Sequence, residues 1–293
     1  MKYLISFLLL ILSFQDLNAQ TLKLKPRKAD ALTGTAFAKS ISDSTLTLKQ
    51  REEIIFNEIK NGNVPNFLRK LSEVVDSIKI ENQIARVSYY ALPDYFCIGS
   101  DDDYFYVPMT PILAQKVADL TKCNLPTKKM VDNIYKSASI KLTPQPIPPT
   151  KAMTTLPIFI AHNDSVKIQL KPYLSKHNNS ALTAGNKKNV IISNKIYTEK
   201  TPKVVIYGWH KMDGKAIQPV YNKHTNTWAD YSHGIRLIQQ KVRVEENLEG
   251  KTDPRSRRTT IKKLLKNPIL YKLLSDEGVI EKPFYPLTEY WID

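Results

Sequence analysis

The chain has 293 residues, a formal net charge of +15 and an apolar fraction of 42%. That apolar content can form a hydrophobic core, which excludes an intrinsically disordered chain. Lysines and arginines are spread along the sequence and no recognition signature of a nucleic-acid-binding domain occurs, so we expect no specific nucleic-acid partner. Such a charge excess attracts acidic polymers over roughly a Debye length of 10 Å.

Residues 1–19 have the pattern of a secretory signal peptide. Lys2 precedes an almost unbroken apolar run of eleven residues, Leu4 to Phe14, and a more polar stretch with the small Ala19 follows it. The run is too short to cross a bilayer as a helix, which takes roughly 20 residues. We therefore expect cleavage after Ala19 and a mature protein that is secreted or periplasmic, without a transmembrane segment.

The part of the chain before residue 142 predicts an arm followed by mixed structure. Residues 20–44 are polar and aperiodic, which predicts a flexible N-terminal arm. Residues 45–141 predict a mixed α+β part that begins with a helical hairpin, because apolar residues recur at helical spacing over 46–60 and over 64–75. Strands are predicted from β-branched and aromatic residues over 78–107.

Two more helices are predicted near the end of this part. Thr110 is a good N-cap and Pro111 occupies the favoured first position of a helix over 111–120. A further helix is predicted over 127–137, with Thr127 as its cap.

Residues 142–157 contain five prolines and no glycine. Proline fixes φ and removes a donor, so this segment is predicted to be an extended, partly exposed linker or belt. Residues 158–293 form the strand-rich C-terminal part, in which Asp213-Gly214 predicts a hairpin turn. A final helix is predicted over 259–274, and Pro268 should kink or divide it.

Helical pieces and strands do not alternate regularly along the chain. This order predicts an α+β fold with antiparallel or mixed strands, flanking helices and a strand-rich C-terminal half that ends in a helix, rather than a doubly wound parallel sheet. The sequence leaves the oligomeric state open.

Cys97 and Cys123 are the two cysteines of the chain. An even count in an exported protein predicts a disulfide between them. The alternative is that one of them is a thiol nucleophile, which requires a neighbouring base that sequence spacing does not identify.

Three of the five histidines, His210, His224 and His233, fall within 24 residues. They are interleaved with residues that can exchange protons or bind a substrate: Trp209, Trp228, Asp230, Tyr231, Ser232 and Arg236. Because the predicted hairpin can fold this segment back on itself, we expect the three imidazoles to lie in one concave site.

Two of the three mechanisms considered for this site use ligation or nucleophilic attack. In the first, the three histidines hold a zinc ion, with Asp230 as a ligand or as the partner of one, although their spacing matches no known zinc motif. In the second, Ser232 attacks the substrate, His210 or His224 is the base, and Asp230 orients that base.

The third mechanism is metal-free acid–base catalysis by a histidine and a carboxylate from the run Asp101 to Asp103. Adjacent aspartates repel one another, which can raise one pKa, but such a run is also typical of a solvated turn. The histidines have a structural alternative too, since a buried histidine that satisfies backbone groups has the same sequence appearance.

These patterns predict a hydrolase acting on a cell-envelope or extracellular polymer of peptidoglycan or glycan type. The alternative is a non-catalytic extracellular protein that binds acidic glycans or other polyanions. In that alternative, lysines hold acidic groups while sugars stack on aromatic rings, namely those of Trp209, Trp228, Tyr221 and Tyr231. In the enzyme, Arg236 is expected to hold an anion. Lys187 and Lys188 precede a strand and can receive a carboxylate or phosphate of the substrate, or form a plain basic turn. Histidines that converge in a cleft favour the enzyme, whereas an open aromatic surface favours the binding protein.

Overall fold

The structure is a computed structural model that describes residues 20–80, 83–246 and 255–287. The predicted signal peptide lies outside the described residues. Within those ranges, no helix combines the length and the apolar character needed to span a bilayer.

The described residues form helices and short strands in an irregular order, which confirms the α+β class. The helices are α1 (Gly34–Ser40), α2 (Leu48–Lys60), α3 (Asn66–Arg69), α4 (Pro111–Leu120), α5 (Lys128–Ser137), α6 (Leu156–Leu174) and α7 (Ile261–Leu265). The strands are β1 (Ser72–Ile80), β2 (Gln83–Ala91), β3 (Cys97–Gly99), β4 (Tyr104–Tyr106), β5 (Cys123–Asn124), β6 (Ile140–Lys141), β7 (Thr183–Ala184), β8 (Lys188–Val190), β9 (Ile206–His210), β10 (Ala216–Tyr221), β11 (His233–Gly234), β12 (Ile238–Gln239), β13 (Lys241–Glu246) and β14 (Arg255–Thr260).

Two sheets position the sites described below. The larger sheet has the order β14-β13-β2-β12-β5, with β1 also paired to β2, and all its pairs are antiparallel. The smaller sheet has the order β10-β9-β8-β11, in which only the β8–β11 pair is parallel. Since β2 precedes the proline-rich segment and β13 follows it, one sheet joins both parts of the chain.

The larger sheet has one covered face and one open face. In β2, Ala85, Val87, Tyr89 and Ala91 are buried while the residues between them are partly or fully exposed. Helix α5 and the 3-10 turn at Leu270–Leu273 contact this sheet. This period-two burial is what a sheet with one face in the core requires.

Residues 20–44 are held by the fold, contrary to the predicted flexible arm. The Leu22 amide donates to Arg69 O at 2.8 Å, Thr21 pairs with Lys70, and Phe37 of α1 is fully buried. The sequence hides these anchors, because single apolar residues are separated by polar ones with no constant period.

The prediction of a second helix in the hairpin, over 64–75, is wrong. Only the turn Asn66–Arg69 is helical, and the chain enters β1 at Ser72. Val74 is buried and Val75 is exposed, which is strand alternation. The β-branched residues of this stretch favour that alternation over a helix.

The proline-rich segment is extended only in its first part. Residues 142–150 have no regular structure, but a 3-10 turn follows at Lys151–Thr154 and α6 begins at Leu156, with Pro157 in its first turn. Helix α6 was not predicted. Its buried Leu156, Phe159, Asn163, Val166 and Leu170 recur every three or four residues, a helical signal that the preceding prolines obscure.

Local signals elsewhere are confirmed. Thr110 and Thr127 cap α4 and α5 by accepting backbone bonds from Leu113 and Met130. The hairpin at Asp213-Gly214 joins β9 to β10, with His210 opposite Ala216. The C-terminal helix is divided before Pro268 into α7 and the 3-10 turn.

The predicted disulfide is wrong, because both cysteines are buried free thiols. Cys97 lies in β3, which pairs with β4, whereas Cys123 lies in β5 at the end of the larger sheet. Burial raises the pKa of both thiols, that of Cys123 to about 11. Neither therefore fits the alternative of a thiolate nucleophile at neutral pH.

Candidate functional site

The predicted site residues fall into two separate groups. Trp209 and His210 are neighbours in β9, where Trp209 has a positive φ of 59° and the regular strand alternation is interrupted. His210 contacts α5, while Trp209 contacts His162 of α6 and Tyr231. The single concave site predicted for the three histidines is therefore divided by β9.

His210 forms a dyad with Asp132 of α5. His210 Nε2 lies 3.1 Å from Asp132 Oδ1, to which the Tyr207 hydroxyl also donates at 2.7 Å, and Lys128 Nζ donates to Oδ2 at 2.9 Å. Burial raises the pKa of the Asp132 carboxyl, but the bonds from these three side chains outweigh it and hold that pKa below its ordinary value. The carboxylate is ionised at neutral pH.

The imidazole of His210 is fixed in place by Tyr135. The two rings stack with centroids 4.5 Å apart and planes at 18°, and the Tyr135 hydroxyl donates to Lys211 O at 2.6 Å. His210 is only 3% exposed, yet it lines a surface cleft of about 440 Å³ with Asp132, Lys136 and Lys141. The dyad is thus rigid and borders an opening that can admit a substrate group.

A second group, here called the inner cluster, consists of His162, Lys187, Lys188, Trp209, Asp230, Tyr231 and His233. Lys187 Nζ lies 3.0 Å from His162 Nδ1 and donates to Tyr231 O at 2.7 Å. Lys188 Nζ lies 4.8 Å from the centre of the Trp209 ring. Burial lowers the pKa of Lys187 to about 7, although Asp230 and Asp94 partly oppose that shift.

Asp230, Ser232 and His233 form a tight local turn within this region. The Ser232 amide and hydroxyl both donate to Asp230 Oδ1, at 2.8 and 2.5 Å. Burial raises the pKa of Asp230, but His233, the Ser232 bonds and Lys188 outweigh it and leave that pKa below its ordinary value. Because the Ser232 hydroxyl is bound to this carboxylate and to no imidazole, the geometry of a serine nucleophile with a histidine base is missing.

His233 is buried as a neutral imidazole. Its Nε2 lies 3.9 Å from Asp230 Oδ2, and neither ring nitrogen has a hydrogen-bond partner among the described residues. Burial lowers its pKa to about 4, against the opposing effect of Asp230. An imidazole in this state is a poor proton donor at neutral pH.

His224 lies nearer the surface, in an aromatic stack. Its ring lies parallel to Trp228, at 4.4 Å and 9°, and Tyr221 is 5.6 Å away. All three side chains are partly exposed. Burial lowers the pKa of His224, Asp230 opposes that shift, and Lys188 adds to it.

The predicted zinc site finds no support in this geometry. Within the described ranges, no group of three His, Cys, Asp or Glu side chains lies close enough to hold a metal ion. The reason is that the histidines are separated: His210 lies beside Asp132 of α5, whereas His224 and His233 lie near Asp230.

Arg236 was predicted to hold an anion, but its guanidinium is completely buried and already bound. It donates to Leu92 O at 2.8 Å and to Thr183 O at 2.7 Å, and it lies 4.2 Å from the centre of the Tyr95 ring. These contacts make it a link between segments rather than a substrate ligand.

The aspartate run also has structural roles. Asp101 accepts a bond from the Phe67 amide, and Asp103 accepts bonds from the Thr35 amide and hydroxyl. Burial raises the pKa of Asp103, but bonds from Thr33 and Thr35, with the charge of Lys167, hold it below its ordinary value. The pKa of Asp103 is thus shifted in the direction opposite to the rise that repulsion between adjacent aspartates would cause, so Asp103 does not fit the role of a general acid.

Sequence reasoning missed Asp132, Tyr207 and His162. Asp132 and Tyr207 lie on α5 and β9, elements that were predicted, but nothing in the sequence pairs residues so far apart. His162 lies on α6, and its signal was the helical spacing of that segment. A comparison of the chain with models of protein families, with curated proteins and with solved structures finds no match.

Proposed function

We propose that this protein is an exported hydrolase whose acid–base residue is His210, acting on an acidic envelope or extracellular polymer. The observation that carries this proposal is the Asp132–His210 dyad at the wall of a cleft. The dyad replaces the three-histidine site expected from the sequence.

The geometry supplies the roles of a general base and its orienting group. The ionised Asp132 accepts Nε2–H of His210, which leaves Nδ1 as the acceptor nitrogen. Nδ1 takes a proton from a water molecule as that water attacks the substrate, and later returns the proton to the leaving group. Asp132 stabilises the imidazolium between the two steps, and Tyr207 and Lys128 keep the carboxylate in place.

The charge of the cleft favours an acidic substrate. Lys136 and Lys141 line it, whereas the charge of the adjoining Lys128 is paired with Asp132 and Asp276. The negative charge of Asp132 is compensated by its three hydrogen-bond donors. Asp213 is the other acidic residue that lines the cleft. Ammonium groups at the rim attract a carboxylate or phosphate and increase the rate of encounter.

The test is a pair of variants, His210→Gln and Asp132→Asn, assayed for product release from peptidoglycan, an acidic polysaccharide and a neutral polysaccharide. We expect turnover on the acidic or envelope polymer to fall roughly 10²–10⁴-fold in His210→Gln. His177→Gln is the matched control, since His177 is partly exposed and outside the dyad. Full activity in His210→Gln, or no activity of the wild type on any polymer, would contradict the proposal.

A second candidate function rests on the stack of His224 on Trp228. Parallel rings on a partly exposed surface, with Tyr221 beside them, suit a non-catalytic glycan-binding protein. Binding of the polymer without hydrolysis, lost in Trp228→Ala and kept in His210→Gln, would favour this candidate.

A further inference from the structure

The larger sheet has an open face that the proposed hydrolysis does not use. In β13, Val242 and Val244 are buried, whereas Lys241 and Arg243 are exposed on the other side. We call the side chains on that side the outer face, and it includes Ser88, Tyr90, Lys241, Arg243 and Arg258.

Two arginines stand directly opposite each other on this face. Arg243 of β13 is the register partner of Arg258 of β14, and such neighbours have their Cβ atoms about 4.5–5.5 Å apart. Like charges in this position destabilise a sheet. The pair therefore has a cost in the free protein that an anion between the guanidinium groups would remove.

Little on the protein neutralises this pair. Arg243 Nη1 lies 4.0 Å from Glu245 Oε1, and the same carboxylate also lies 3.9 Å from Arg86 through its other oxygen. Arg258 has no ion pair among the described residues. By contrast, Arg257 on the same strand makes a 2.7 Å ion pair with Glu246.

The arginine pair lines a shallow groove of about 120 Å³. Lys241, Ser88, Tyr90 and Gln239 line it as well, and Glu73 is its acidic member. Guanidinium groups present paired N–H donors that match the two oxygens of a carboxylate or sulfate. The Tyr90 ring offers a flat surface for a sugar ring.

We propose that the outer face binds an acidic polysaccharide, with one carboxylate or sulfate held between Arg243 and Arg258 and a neighbouring acidic group near Lys241. Charge complementarity carries this assignment. A glycan is favoured over nucleic acid because the groove has a single aromatic ring, Tyr90, whereas non-specific binding of single strands uses a series of stacked bases. The surface is separate from the dyad and does not depend on hydrolysis.

The experiment measures binding of dextran sulfate, with neutral dextran as the reference, by isothermal titration calorimetry at fixed salt. We expect Arg243→Gln with Arg258→Gln to weaken binding about ten- to hundredfold, since two charge-assisted contacts are lost. Each single variant should melt no earlier than the wild type, because the repulsion is removed. His210→Gln should bind as the wild type does, which separates this proposal from the catalytic one.

Arg257→Gln is the matched control, because it removes the same charge from the same strand at a position opposite the buried Val244. An equal loss of affinity in Arg257→Gln would mean that net charge alone binds the polymer and would overturn the proposal. Unchanged affinity in the double variant would overturn it too. So would tighter binding of a single-stranded oligonucleotide of matched charge, lost in the same double variant.

Discussion

At the scale of single residues, Lys187 has an unusual environment for an ammonium group. It is buried, and its hydrogen-bonding neighbours are a carbonyl oxygen and an imidazole nitrogen, both uncharged. Burying a charge without an ionic partner is costly, so the amine releases its proton more readily than a free lysine does. The neutral amine is compatible with its contacts, because it can still donate to Tyr231 O.

This environment predicts a pH dependence of stability. The pKa of Lys187 is about 7 in the folded protein and 10.5 ordinarily, so between these values the unfolded chain binds a proton that the folded chain lacks. Stability should therefore rise with pH in this window, and from pH 7 to 9.5 the wild type should gain about 3 kcal/mol relative to Lys187→Met. Urea unfolding at both pH values measures this, with exposed Lys176→Met as the control. Parallel pH profiles of the wild type and Lys187→Met would contradict it.

At the scale of elements, a buried carboxyl joins α2 to the start of α4. Glu52 accepts bonds from the Thr110 amide at 2.8 Å and from its hydroxyl at 2.9 Å, while Thr110 caps α4. Burial raises the pKa of Glu52 to about 7, despite the opposing bonds from Thr110. The contact between the two helices therefore depends on the protonation of one side chain.

Glu52→Gln should stabilise the protein more at pH 8 than at pH 5. The pKa of Glu52 rises from an ordinary 4.5 to about 7 on folding. The stabilisation of the folded protein by the protonated carboxyl is therefore fully present below pH 4.5 and is lost as the pH rises through 7. Relative to the wild type, Glu52→Gln should gain about 2 kcal/mol between pH 5 and 8. Chemical denaturation at both pH values tests this. Glu53→Gln, which changes a partly exposed neighbour, should give no such difference.

At the scale of the whole molecule, the two parts of the chain are built into one structure. Strands from both sides of the proline-rich segment form the larger sheet, and buried residues from both sides belong to one hydrophobic cluster. Arg236 adds a polar link, since its guanidinium joins Leu92 to Thr183 in the interior. Unfolding of one part should expose the core of the other.

Arg236→Met should therefore destabilise the whole protein. The substitution leaves two buried carbonyl oxygens without the guanidinium donor. It also removes the positive charge that counteracts the effect of burial on the pKa of the Asp94 carboxyl. Together these losses should cost about 3–5 kcal/mol. We expect one unfolding transition in both proteins, at the same denaturant concentration by tryptophan fluorescence and by far-ultraviolet circular dichroism. Two separated transitions in the wild type would contradict this, and Arg257→Gln should change stability by less than about 0.5 kcal/mol.

Local features of the chain were predictable because their causes are local. The caps at Thr110 and Thr127, the turn at Asp213-Gly214 and the break before Pro268 depend on residues within a few positions, so the sequence alone determined them. The α+β class followed from the order of these elements. The N-terminal segment and α6 were missed where apolar spacing was sparse or masked by prolines.

The site was decided by tertiary structure. Three histidines close in sequence are separated because His210 packs against α5, whereas His224 and His233 lie near Asp230. The partner of His210 is Asp132, which α5 brings from a distant position. The same applies to Lys187, whose neighbour His162 lies on α6. The clustering of histidines in the sequence shows only that they are close along the chain. Their hydrogen bonds and their desolvation depend on which residues the sheets and helices bring together in space.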